Sequence, residues 1–173
     1  MRIVEHRRHG RRDADGIHLS RDARDLARRL APTLGRFDRV VASPKPRAVE
    51  TAEALGGRVD AVLPDLAEMP DDRGLATGVG SARSFADYVR WTERSAVAGQ
   101  YGRHLGELMR SELERLPDGS RLLMVSHGGV VEFSAAAARP HEAAGWGPPV
   151  GYLEGVRLSL EHGRWVRGEV LRT

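Results

Sequence analysis

Leu122-Leu123-Met124-Val125 is an unbroken apolar run, preceded by the turn residues Pro117-Asp118-Gly119 and followed by Ser126-His127-Gly128-Gly129. Successive side chains of a strand point to opposite faces, so such a run suits a strand covered on both sides, as in a parallel sheet. Parallel neighbours need crossover connections, usually helices. The rest of the chain supplies alternating candidates for both. Ile3 to Arg7 reads as a first strand, though an unusually polar one. Ser20 is a good N-cap for a helix whose buried face would carry Ala23, Leu26, Ala27, Leu30 and Leu34, with Pro32 ending or kinking it. Phe37 to Ala42 forms a second strand closed by Ser43-Pro44. A helix through Arg47, Val49 and Leu55 then stops at Gly56-Gly57, and Val59 to Leu63 makes a short third strand.

From about Asp65 to Gln100, Pro70, Asp71, Asp72, Gly74, Gly78 and Gly80 act as breakers, which predicts an irregular insertion over the sheet edge. Arg103 to Leu116 has helical periodicity, and Gly128-Gly129 opens a further helix through Ala138. Alternation in Tyr152–Leu160 and Trp165–Leu171 around Glu161-His162-Gly163-Arg164 signals a hairpin. The expectation is a single domain over residues 1–173, with the insertion at about 65–100. Its fold class is α/β, a three-layer α/β/α sandwich on a mostly parallel mixed sheet.

Composition narrows the function. A chain of 173 residues with 40% hydrophobic and 29% charged side chains can bury a globular core. Of its 27 basic residues only Lys45 is a lysine, yet the net charge is just +3, and the arginines alternate with acids as in Arg21-Asp22 and Arg24-Asp25. With aromatics at 5%, this is a solvated helix surface and not a nucleic-acid platform. The absence of cysteine excludes disulfides and thiolate metal sites and suits a reducing cytoplasm. No run approaches the ~20 apolar residues of a membrane span. The N-terminus turns charged too early for a signal peptide, so a cytoplasmic location is expected. His6, His18, His104, His141 and His162 have no zinc-like spacing and read as surface or structural residues.

In an α/β sheet, ligands sit beyond the carboxyl ends of the strands. Arg8-His9-Gly10 follows the first strand, Arg47 the second, Leu66-Ala67-Glu68 the third, and His127 the apolar one. Four sequence-distant polar groups are thereby directed to one rim. Arg8 and Arg47 offer planar donor forks for phosphate, His127 a further donor, and Gly128-Gly129 backbone N–H groups at a helix start. His9, kept unprotonated by the two guanidinium charges, is a nucleophile for phosphorus. Glu68 is placed to protonate the leaving oxygen and then to activate water, with Asp71 or Asp72 as alternatives. The arginines supply the electrostatic stabilisation that metal ions give other phosphoryl-transfer enzymes, so no metal or cofactor is expected.

Taken in order, Arg8-His9-Gly10, Ser43-Pro44…Arg47-Ala48…Thr51-Ala52-Glu53, Leu66-Ala67-Glu68 and Val125-Ser126-His127-Gly128-Gly129 resemble the signature segments of the histidine phosphatase superfamily, which includes the phosphoglycerate mutases. The resemblance runs over most of Ile3 to Phe133. It implies a phosphoglycerate mutase-like fold and a phosphohistidine on His9. The implied pocket is Arg8, Arg47 and His127, with Glu68 as acid and base. The chain departs from the family pattern in its polar first strand, in Arg11-Arg12 after the motif, in Ala23 and Leu26, and in lacking Trp-Glu-Gly after Glu68. The expected activity is that of a histidine acid phosphatase-type phosphoric monoester hydrolase acting on a small phosphorylated substrate or a phosphoprotein. A phosphoglycerate-type mutase is the alternative, disfavoured because the chain ends soon after the hairpin. A phosphate-ligand or protein-binding module without turnover is another. No nucleic-acid or membrane partner is expected, and the sequence does not specify an oligomeric state.

Overall fold

In the computed structural model, which describes residues 1–67, 69–70 and 78–173, the apolar run lies in β4 (Arg121–Ser126) near the middle of a six-stranded sheet. The other strands are β1 (Arg2–Arg8), β2 (Arg39–Ala42), β3 (Ala61–Val62), β5 (Gly155–Glu161) and β6 (Arg164–Leu171). Their spatial order is β3-β2-β4-β1-β5-β6. β1 and β2 run parallel to β4, and β3 runs parallel to β2; β5 and β6 add an antiparallel edge.

Alternation along β4 divides the core in two. Leu122 and Met124 pack on one face with Val4 and Val41, under α3 (Phe85–Arg94), α4 (Ala96–Glu114) and α5 (Val130–Ala138). Leu123 and Val125 pack on the other with Val40 and Ala42, under α1 (Arg21–Leu34) and α2 (Pro46–Gly56). A short α6 (Pro140–Ala143) precedes the hairpin. The result is a three-layer α/β/α sandwich with a mostly parallel mixed sheet.

Local chemistry sets the helix ends. The Ser20 hydroxyl accepts from the Ala23 N–H at 3.3 Å, and α2 starts on Pro46 and stops at left-handed Gly57. Three expectations need correction. Leu26 is exposed; Ala23 and Ala27 are the buried residues of α1, with Leu30 and Leu34 packed partly buried against the same core. Of the two roles expected of Pro32, ending α1 is excluded, since the helix continues to Leu34. The stretch expected to be irregular contains all of α3, and α4 begins at Ala96 and not Arg103. Phe85, Tyr88 and Val89 bury one face of α3, while Asp87 accepts from the Ser84 N–H at 2.9 Å to cap it.

Candidate active site

Three parallel strands end on one rim, and the side chains just past them converge. His9 leaves β1 with its N–H on the Ser126 carbonyl at 2.9 Å, which ties the end of β1 to that of β4. Its Nδ1 lies 2.6 Å from the Gly10 carbonyl oxygen, an atom that can only accept, so the proton sits on Nδ1. Nε2 therefore carries the lone pair, and Arg47 Nε donates to it at 3.2 Å.

Thr51 holds this junction from α2: its hydroxyl accepts from the Gly10 N–H at 3.0 Å and donates to the Arg47 carbonyl at 2.6 Å. Gly10 is required by close approach, since a Cβ there would lie 2.6 Å from Leu19 Cδ1 and 3.1 Å from Ala23 Cβ. The His127 ring meets His9 edge-on at 5.1 Å between centroids, and its Nε2 is 2.8 Å from the Ser43 hydroxyl.

Arg8 extends from the last residue of β1. Its Nη1 donates to the Val150 carbonyl at 2.9 Å, and the Tyr152 ring centre lies 4.4 Å from its guanidinium carbon. Its Nε is buried and finds no partner among the described residues. Gly128 lets this group come close, since a Cβ there would stand 3.1 Å from Arg8 Cζ.

These groups line one cavity of about 520 Å³. Arg12, Ala67, Met69, Val79, Tyr88, Glu132 and Tyr152 complete much of its wall. Glu68, Asp71 and Asp72 fall outside the described residues, although Ala67 and Met69 on either side of Glu68 both face the cavity. The expectation for Gly128-Gly129 needs one correction. The Gly129 N–H is not presented to the cavity but donates to Glu132 Oε2 at 2.7 Å.

Electrostatics favour neutral imidazoles. Burial, and then the charges of Arg47, Arg8 and Arg12, lower His9 to about 4 against the pull of the Gly10 carbonyl. Burial first, then His9 and Arg47, lower His127 to about 3. A neutral nucleophilic nitrogen flanked by fixed positive charge is suited to binding and attacking a tetrahedral anion.

The model for the histidine phosphatase superfamily (branch 1) matches residues 4–170. The chain belongs to that superfamily. Solved structures of similar fold include phosphatases and a phosphomutase. A mycobacterial glucosyl-3-phosphoglycerate phosphatase, solved with inorganic phosphate, is 27% identical, with 100% of this chain and 98% of that one covered and a TM-score of 0.65. The phosphoserine phosphatase of Entamoeba histolytica, solved with 3-phosphoglyceric acid, has a TM-score of 0.73 at 16% identity over 100% of this chain and 98% of that one. A Bacillus anthracis phosphoglycerate mutase has a TM-score of 0.66 at 13% identity, over 95% and 90% of the two chains. No curated protein matches the chain.

Sequence reasoning left several wall residues of this superfamily member unassigned, among them Tyr152 and Glu132. Tyr152 stands before the hairpin, and its place behind Gly147-Pro148-Pro149 was the available signal of a stiff loop on the rim. Glu132, three residues past Gly129, reads from sequence as an ordinary helical residue but is fully buried.

Among the described residues, no helix is long and apolar enough to cross a membrane, and no cluster of three or more His, Asp or Glu could hold a metal ion.

Proposed function

We propose that this protein is a phosphatase that hydrolyses phosphomonoesters through a phosphohistidine on His9, without a metal cofactor. The observation that carries the reading is the tautomer of His9. The Gly10 carbonyl fixes the proton on Nδ1, leaving Nε2 as the electron pair that faces Arg47 and the cavity.

A dianionic phosphate binds between Arg8 and Arg47, each donating to non-bridging oxygens. When Arg47 turns its Nη2, 3.5 Å from His127 Nδ1, to the phosphate, Ser43 can donate to His127 Nε2, so that His127 presents an Nδ1–H to the phosphate. As the phosphate draws the Arg47 Nε–H away from it, His9 Nε2 attacks phosphorus in line; the N–P bond forms as the ester P–O bond breaks. The leaving alkoxide takes a proton from the Glu68 carboxyl, the acid expected from the sequence. In the second step the Glu68 carboxylate removes a proton from water, whose oxygen attacks phosphorus. The P–N bond breaks and its electron pair returns to Nε2. The Gly10 carbonyl, already bonded to Nδ1–H, stabilises the positive charge on the phosphorylated ring.

The test is hydrolysis of an aryl phosphate in EDTA by wild type and His9→Ala. Turnover in the wild type with loss in His9→Ala, together with acid-labile labelling of the wild type by phosphate from substrate, is the expected result. Activity persisting in His9→Ala would reject the nucleophile, and activity abolished by EDTA would reject the metal-independent reading. Phosphoryl transfer to an added alcohol acceptor in preference to water would identify a mutase-type reaction.

A further inference from the structure

Glu132 lies at the floor of the cavity, fully buried, at a point where nothing in the proposed chemistry calls for a carboxylate. Burial pushes it toward the neutral form, while the N–H groups it accepts from and the Arg8 charge oppose that shift. A carboxylate held in the core against this cost needs a structural reason.

Capping α5 is only half of one. A cap at this position uses one oxygen, and Oε2 fills that role on the Gly129 N–H at 2.7 Å. The second oxygen reaches to another part of the chain: Oε1 accepts from the Val150 N–H at 2.8 Å. Val150 in turn offers its carbonyl to Arg8 Nη1 at 2.9 Å. The remaining supports of Arg8 are mounted on the same two segments. Gly128 packs against the guanidinium from the turn, and Tyr152 stacks on it from the loop. With Arg8 Nε otherwise unpartnered among the described residues, the relative placement of turn and loop decides where the guanidinium points.

We infer that Glu132 is a positioning residue for the phosphate clamp: its carboxylate ties the Gly129 turn to the Val150 loop, and the Val150 carbonyl aims Arg8 into the cavity. This inference rests on the reading that Arg8 grips phosphate. Glutamine cannot substitute fully, because one of its two terminal atoms is a donor and would face another donor. Glu132→Gln therefore loses one of the two ties.

The test is calorimetric binding of inorganic phosphate, independent of turnover, to wild type, Glu132→Gln, Arg8→Met and the double variant. Arg8→Met is expected to weaken binding by roughly tenfold to a hundredfold, the worth of a charge-assisted hydrogen bond. Glu132→Gln is expected to weaken it about fivefold to tenfold in the wild type but less than about twofold in the Arg8→Met background, since coupled residues are non-additive. A residue that only supported folding would lower thermal stability without this coupling. Effects that multiply across the double variant, or unchanged affinity in Glu132→Gln, would overturn the tether. Unchanged affinity in Arg8→Met would overturn the clamp itself. Should Glu132→Gln fail to fold, amide exchange in the wild type still decides. The Gly129 and Val150 N–H groups should exchange slowly and be slowed further together by phosphate. Exchange of either at the rate of an open loop would refute the tether.

Discussion

Acidification should unfold this protein through its histidines, and His6 isolates the effect. His6 points from β1 into the core, wholly buried, with Nδ1 2.9 Å from the Ser134 hydroxyl and Nε2 2.6 Å from that of Ser126. Ser134 donates to the Val131 carbonyl at 2.7 Å, so it accepts from His6 Nδ1–H, and Nε2 accepts from Ser126. The neutral ring is fully satisfied, and an imidazolium would face a donor with a donor. Burial lowers its pKa from 6.5 to about 3.

The sign follows directly. Below pH 6.5 the unfolded chain takes up a proton that the native ring refuses until about pH 3. The His6 contribution to stability is therefore nearly constant well above 6.5 and falls as the pH drops through that window. Each such histidine contributes a slope of about 1.4 kcal/mol per pH unit. His9 and His127 share the behaviour, being lowered to about 4 and about 3. Together the three give about 4 kcal/mol per pH unit between pH 6 and 4.5, against a typical total stability of ~5–15 kcal/mol. His6→Gln, whose amide can donate to Ser134 and accept from Ser126, removes one titrating group. Urea unfolding followed by tryptophan fluorescence at pH 7, 6, 5.5 and 5 should show the variant less stable at pH 7 by about 1–3 kcal/mol. Its stability should then decline less steeply by about 1.4 kcal/mol per pH unit, so that the two curves converge on acidification. Parallel curves would mean that His6 titrates alike in folded and unfolded chains, and would refute the burial argument.

Four further outcomes can be checked. In NMR titration of the free protein, the His9 ring should titrate near 4; a midpoint near 6.5 would show that burial and the arginine charges do not act on it. Glu5→Gln removes the carboxylate that Arg7, Arg121 and Arg157 all contact. It should cost about 3–5 kcal/mol in denaturant unfolding, and a loss under about 1 kcal/mol would show the network to be idle. Thr51→Val should leave the fold intact by circular dichroism while lowering kcat/KM by about tenfold, through misplacement of Gly10 and Arg47; unchanged kcat/KM would dismiss that role. Gly155→Ala drives a methyl into the His6 carbonyl across the β1–β5 pairing and should cost about 2–3 kcal/mol in the same unfolding assay. A neutral outcome would mean that the edge hairpin shifts freely.

What the sequence revealed and what it concealed have different physical origins. The strands and capped helices were legible because apolar periodicity and turn residues act locally: β4 and the ends of α2 follow from a few adjacent side chains. The convergence of Arg8, His9, Arg47 and His127 on one cavity was legible for a topological reason, since parallel strands end on the same side. α3 was obscured because the breakers ahead of it outweighed the signal of Phe85, Tyr88 and Val89. Glu132 and Val150 were not legible, because their pairing joins residues 18 positions apart through a side chain and a backbone amide. No periodicity encodes such a contact.

The polar first strand, the strongest departure from the expected pattern, connects these two levels. Val4 and His6 face the α4 and α5 layer, so Glu5 and Arg7 face the side of α1 and α2. Burial alone would raise the Glu5 carboxyl, but Arg7 and Arg157 outweigh it and hold it ionised below its ordinary range. This anchors Arg7, whose Nη1 donates to the Leu153 carbonyl at 2.9 Å. Leu153 sits at φ +64°, a left-handed conformation that costs a leucine about 1 kcal/mol or more. Bonds on both its backbone groups hold it there, since its N–H also donates to the Arg8 carbonyl at 3.1 Å. The bend so maintained projects Tyr152 onto Arg8 and His9. An apolar strand would pack a central sheet more cheaply, but it would offer no donor to the Leu153 carbonyl and leave the bend without one of its two ties. The charges that make β1 hard to read as a core strand therefore join the centre of the sheet to the wall of the cavity.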